Sequence, residues 1–88
     1  MSKATLTIRN QRGLHARAAA KFVKLVSGFD AEVLVAKDGQ EVSGDSIMGL
    51  MMLAAAPGDT IAVSTSGVQE AAVMQALTEL IENKFEET

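Results

Sequence analysis

The hydrophobic period of this chain switches back and forth between two and about 3.6, and that switching limits its fold more than any other feature. Ala4, Leu6 and Ile8 alternate with Thr5, Thr7 and Arg9, the pattern of a strand with one buried face. After Asn10-Gln11-Arg12-Gly13, which predicts a turn, the spacing changes. Ala19, Phe22, Val23 and Val26 recur at the three- and four-residue intervals of one helical face, and Arg17, Lys21 and Lys24 fall on the other side. Ser27-Gly28 closes that helix. Glu32-Val33-Leu34-Val35-Ala36 predicts a second strand. Asp38-Gly39 then suits a two-residue hairpin, whose central residues both need positive φ. The return strand runs from Gln40 to Ser43.

The second half repeats the alternation. Ile47 to Leu53 forms a short apolar helix with Ser46 or Asp45 as its N-cap. Pro57-Gly58-Asp59 turns the chain into a strand in which Ile61, Val63 and Thr65 alternate with Ala62 and Ser64. Ser66 and Gln69 have the spacing of a capping box. Val73, Ala76, Leu77, Leu80 and Ile81 then predict a last helix ending near Phe85. The order is β-α-β-β-α-β-α. Such mixing implies an α+β open-faced sandwich, a mainly antiparallel sheet with helices on one face. The 88 residues suffice for one compact domain, expected to occupy 1–88.

Composition removes several functions. There is no cysteine, so neither a disulfide framework nor a thiolate metal site is available. The net charge is −3, with no Trp or Tyr and three Phe, unlike the basic, aromatic-bearing surfaces that bind nucleic acid. The first residues lead straight into alternating strand without an apolar signal core, and no apolar stretch approaches membrane-spanning length. A cytoplasmic protein is the expectation.

His15 is the sole histidine and falls where the first turn becomes a helix. An imidazole offers a neutral nitrogen nucleophile near neutral pH. A helix start presents unpaired N–H groups and a positive dipole end, both suited to a phosphate dianion. Arg17 adds a guanidinium fork for phosphate oxygens. Together they could accept a phosphoryl group, though a surface histidine beside a solvated arginine would look the same locally. No paired carboxylate lies nearby in sequence for hydrolysis, and no Gly-x-x-x-x-Gly-Lys loop occurs.

Two segments extend this reading. Arg12-Gly13-Leu14-His15-Ala16-Arg17 resembles the phosphorylation-site motif of the HPr phosphocarriers of the bacterial phosphotransferase system. Asp45-Ser46-Ile47-Met48-Gly49-Leu50-Met51 resembles that family's regulatory-serine segment, and the likeness spans the chain. The resemblance implies four antiparallel strands beneath three helices, with no cofactor and no metal. It implies that His15 takes a phosphoryl group through Nδ1 from Enzyme I and gives it to a IIA-type protein while Arg17 holds the phosphate. Such a chain is a monomeric carrier acting with partner phosphotransferases, not an enzyme in its own right. Ser46 would be a regulatory phosphorylation site, with an HPr kinase/phosphorylase as a further partner.

Met48, Met51 and Met52 lie on one side of the short helix, with Leu50 and Leu53 towards the other. A methionine stripe is commonly core, but flexible thioethers also suit a surface that must fit several partners. Ile47, Met48, Met51 and Met52 are therefore expected to be partly exposed docking contacts. Lys21 and Lys24 are expected to steer acidic partners. Ala18 stands where many HPr proteins carry proline. Met51 to Gly58 looks closer to the family's nitrogen-related branch than to its sugar-transport forms. Two rivals remain: a binding-only regulator docking through the methionines, and a small-molecule sensor, for which the sequence shows no convergent polar pocket.

Overall fold

The computed structural model describes residues 1–87. Its elements are β1 (Ser2–Thr7), α1 (Ala16–Val26), β2 (Glu32–Lys37), β3 (Gln40–Ser43), α2 (Ile47–Met52), β4 (Thr60–Ser66) and α3 (Glu70–Glu82), followed by a tight turn at Lys84–Glu86. The strands form one antiparallel sheet in the order β1-β4-β2-β3. The expected architecture is present.

Strand periodicity explains where the core lies. Val33 and Val35 of β2 are buried while Glu32 and Leu34 face outward, and Ile61, Val63 and Thr65 of β4 are buried, alternating with exposed Thr60 and Ala62 and half-buried Ser64 and Ser66. Register aligns these residues across the sheet: Ala4 pairs with Val63 and Val63 with Val35, while Leu6 pairs with Ile61. One face is thereby apolar, and Ala18, Ala19, Phe22 and Val26 of α1 and Val73, Leu77 and Ile81 of α3 complete the core upon it. α2 adds Leu50 and packs against α1 and β3. Asp38 (φ 50) and Gly39 (φ 83) make the two-residue hairpin, with Lys37 opposite Gln40.

Two boundaries differ from the sequence expectation. The capping box at Ser66 and Gln69 does not form: β4 continues through Ser66, and the residue preceding α3 is Gln69, whose side chain caps nothing. Its amide oxygen instead accepts a 2.7 Å hydrogen bond from the Asp30 backbone, and its own N–H bonds the Asp30 carbonyl at 2.9 Å. The loop before β2 has claimed the group that would have capped the helix. Likewise α3 stops at Glu82, short of Phe85. Lys84, Phe85 and Glu86 all take positive φ, between 55 and 62°. That left-handed turn reverses the chain, drives Phe85 into the core at 0% exposure and sends Glu87 back across the molecule. Burial of Phe85 and the polar ties described next oppose the strain of these three left-handed residues, each about 1–2 kcal/mol.

Candidate functional site

The loop between β1 and α1 is held from inside. Asn10, fully buried, donates through Nδ2 to the Gly13 carbonyl at 2.7 Å, and the Gly13 N–H returns to the Asn10 carbonyl at 3.3 Å. Gly13 sits at φ +65, and a Cβ there would lie 2.2 Å from the Ala55 carbonyl oxygen, so this position excludes other residues twice over. The next residue fixes the loop further. The Leu14 N–H donates to that same Ala55 oxygen at 2.9 Å, while its side chain is buried. This bond ties the segment following α2 to the loop that carries His15.

His15 is the N-cap residue of α1, with extended backbone (φ −80, ψ 180), and its carbonyl accepts the first helical bond from Ala19. Its imidazole makes no cap, and among the described residues no side chain accepts a hydrogen bond from the amides of the first turn. Ala18 is fully buried in that turn, where alanine's small side chain packs without needing proline's fixed φ. The ring is turned away, towards the C-terminal segment. Nε2 lies 2.5 Å from Oε2 of Glu87, with the two side chains 22% and 15% exposed. Glu87 Oε1 accepts a 3.0 Å hydrogen bond from Asn10 Nδ2. That amide bond chiefly, with the His15 hydrogen bond and the charges of His15 and Lys21, holds the Glu87 carboxyl below the usual carboxylate range despite its desolvation. An ionised carboxylate only accepts, so His15 donates through Nε2–H.

Arg17 is exposed and lines an open polar cleft with Gln11, Arg12, Lys21, Glu86 and Glu87. Lys21 is partly enclosed: its Nζ donates to the Phe85 carbonyl at 2.7 Å and approaches Glu86 at 3.9 Å. Its amine thus anchors the terminal turn, while Lys24 is exposed. The two acidic side chains put mixed charge where the sequence suggested a basic stripe. Asn10 and Glu87 have no local signal of a site role: Asn10 is part of the turn after β1, and no motif or spacing marks Glu87.

At the second segment Ser46 is the N-cap of α2, its Oγ accepting from the Gly49 N–H at 2.9 Å. Asp45, the other cap candidate, takes a 2.6 Å hydrogen bond from the Ser43 hydroxyl instead. Leu50 and Leu53 point into the core, whereas Ile47 (40%), Met48 (71%), Met51 (40%) and Met52 (70%) are exposed. Among the described residues no group of three or more His, Cys, Asp or Glu is placed to hold a metal ion, and no helix is long and apolar enough to cross a membrane.

Comparison with known proteins agrees in sequence and in structure. A family model described as the PTS HPr component phosphorylation site matches residues 2–83. Phosphocarrier protein HPr of Neisseria meningitidis serogroup A is 52% identical over 87 residues, covering 99% of this chain and 98% of its own length. The crystal structure of HPr-C-His from Thermoanaerobacter tengcongensis matches with a TM-score of 0.95 at 42% identity, over 100% of this chain and 99% of that one. An HPr dimer from the same organism matches with a TM-score of 0.79 at 42% identity, over 99% of this chain and 100% of that one. In that relative, HPr is described as a dimer, a state that the expectation of a monomer did not include.

Proposed function

Since the chain belongs to the HPr family, the phosphocarriers of the phosphotransferase system, we propose that His15 accepts a phosphoryl group from Enzyme I and yields it to a IIA-type protein. The observation that carries this reading is the position of His15, at the start of an 11-residue helix whose first-turn amides no side chain caps among the described residues. Those amides and the positive helix end offer a phosphate dianion what a side-chain cap would otherwise take. Arg17, exposed in the adjoining cleft, is the guanidinium that would pair with the phosphate oxygens.

In the forward step the lone pair of His15 Nδ1 forms the N–P bond. The bond between phosphorus and the donor breaks, and its electron pair leaves with the donor. Transfer to the acceptor reverses these roles at the histidine. The chain is a carrier, and the donor and acceptor proteins supply the remaining chemistry. Incubation with phosphoenolpyruvate and Enzyme I should add one phosphate to the intact mass, lost in acid and retained in alkali. His15→Ala should gain none while keeping its fold. Acid-labile phosphate on that variant would overturn the assignment. Arg17→Ala should slow transfer in both directions with little change in melting temperature, since an exposed guanidinium meets phosphate only during reaction.

The exposed Ile47, Met48, Met51 and Met52 would be the partner-docking surface, tied to the His15 loop through the Leu14–Ala55 bond. Ser46, at the edge of that surface, would be the regulatory site for an HPr kinase/phosphorylase.

A further inference from the structure

We propose that Glu87 is a positioning residue for phosphoryl transfer, holding the His15 ring by Nε2–H so that the free lone pair resides on Nδ1. The inference rests on the phosphocarrier reading above and adds a residue to it. An imidazole has two nitrogens, and only the unprotonated one attacks phosphorus. A carboxylate fixed against Nε2 demands a proton there, and among the described residues Nδ1 makes no hydrogen bond. The contact therefore selects both the tautomer and the ring orientation.

Three features separate this contact from a chance surface ion pair. The second carboxylate oxygen is engaged by Asn10, a fully buried residue whose amide also closes the loop before His15. The segment bearing Glu87 is anchored by Phe85, at 0% exposure, and by the Lys21 bond to the Phe85 carbonyl. The intervening backbone adopts positive φ at Lys84, Phe85 and Glu86, a conformation side chains disfavour and packing must hold. The result is a short strap whose end meets the one histidine.

Charge balance gives the strap a chemical consequence. When Nδ1 bonds to phosphorus, Nε2 keeps its proton and the ring becomes cationic. Glu87 faces that cation, so it stabilises the phosphorylated ring without removing the proton. A ring that remains cationic is also the better leaving group when the phosphoryl group moves on. The opposing effect is repulsion between the carboxylate and the incoming dianion. It is weakened because the carboxylate sits at the nitrogen across the ring from the one attacked, and the positive end of α1 and the exposed Arg17 would offset it.

Glu87→Gln and Glu87→Asp, compared with wild type, test the proposal. The rate of phosphorylation by Enzyme I should fall about ten-fold in Glu87→Gln, the low end of what losing the carboxylate partner costs a metal-ligating imidazole. Most of it should return in Glu87→Asp. In parallel, the His15 Nε2–H proton should give a low-field, slowly exchanging NMR signal in wild type and Glu87→Asp that is lost in Glu87→Gln. A merely structural glutamate would move the melting temperature and leave the rates alone. Equal rates in wild type and Glu87→Gln would overturn the positioning role, as would faster charging of Glu87→Gln, which would make the carboxylate a barrier. A wild-type chain that takes no phosphate on His15 would overturn the phosphocarrier reading as well.

Discussion

Gly13 and Glu87 show how single residues set the geometry around His15. A Cβ at position 13 would meet backbone oxygen at 2.2 Å, and φ +65 is unfavourable to any side chain. Neither problem is relieved by a rotamer change. Gly13→Ala should therefore cost about 2 kcal/mol or more, combining the left-handed penalty with displacement of the Ala55 backbone after α2. Chemical denaturation would measure the loss, and a variant as stable as wild type would mean that the loop is not clamped. Glu87 makes a prediction with a definite sign. Its folded pKa lies below the ordinary carboxylate value, so its contribution is complete above that value, near pH 4.3, and fades as pH falls through the depressed one. The partners concerned are Asn10, His15 and Lys21. The melting-temperature advantage of wild type over Glu87→Gln should persist at pH 5 and shrink steadily below pH 4. An advantage constant down to pH 2 would show that the carboxylate charge plays no part.

Among the elements, α2 divides its six residues most sharply between two tasks. Leu50 is fully buried, while Met48, on the outer side, is 71% exposed. Leu50→Ala should cost about 2–5 kcal/mol of stability, the usual range for a core leucine. Met48→Lys should change stability by only about 0.5 kcal/mol yet weaken Enzyme I binding, measured by titration calorimetry on the folded protein. Normal binding by Met48→Lys would remove this helix from the docking surface. This division was readable in the sequence because a helix that short has one buried side, and Leu50 and Leu53 claimed it. The hairpin was equally readable, since Asp38-Gly39 meets a backbone requirement that few dipeptides meet. The end of α3 was not. Phe85 continues the apolar spacing of the last helix, and Lys84-Phe85-Glu86 contains no glycine or asparagine to announce a left-handed turn. The false capping box at Ser66 has a related cause: the spacing was right, but Asp30, distant in sequence, took the amide of Gln69.

At the scale of the whole molecule, the fold was legible because it follows from local periods, whereas half of the candidate site was not because it depends on closure. His15, Arg17 and Ser46 announce themselves by position at helix starts. Asn10 and Glu87 become site residues only once α1, α3 and the terminal turn are packed, a contact between opposite ends of the sequence that no motif spacing encodes. Closure also links the two candidate phosphorylation segments, because the Leu14–Ala55 bond joins the His15 loop to the segment after α2. The last prediction uses that link. Ser46→Asp, a partial mimic of phosphoserine, should slow the charging of His15 without unfolding the protein. Aspartate is as good an N-cap as serine, so the Gly49 amide keeps an acceptor, and negative charge complements the helix dipole. Stability should rise slightly, by about 0.3 kcal/mol, at the low end for a helix of six residues. Transfer should change in the other direction. Asp45 is already exposed beside the site, and a second charge there would repel an acidic partner approaching the methionine face. Repulsion between exposed charges is screened over about 10 Å at 0.1 M salt, so the slowing should be largest at low ionic strength and fade as salt is added. Thermal melts and Enzyme I kinetics on wild type and Ser46→Asp, each at low and high salt, measure both signs. Equal charging rates at low salt would leave Ser46 a helix cap and nothing more.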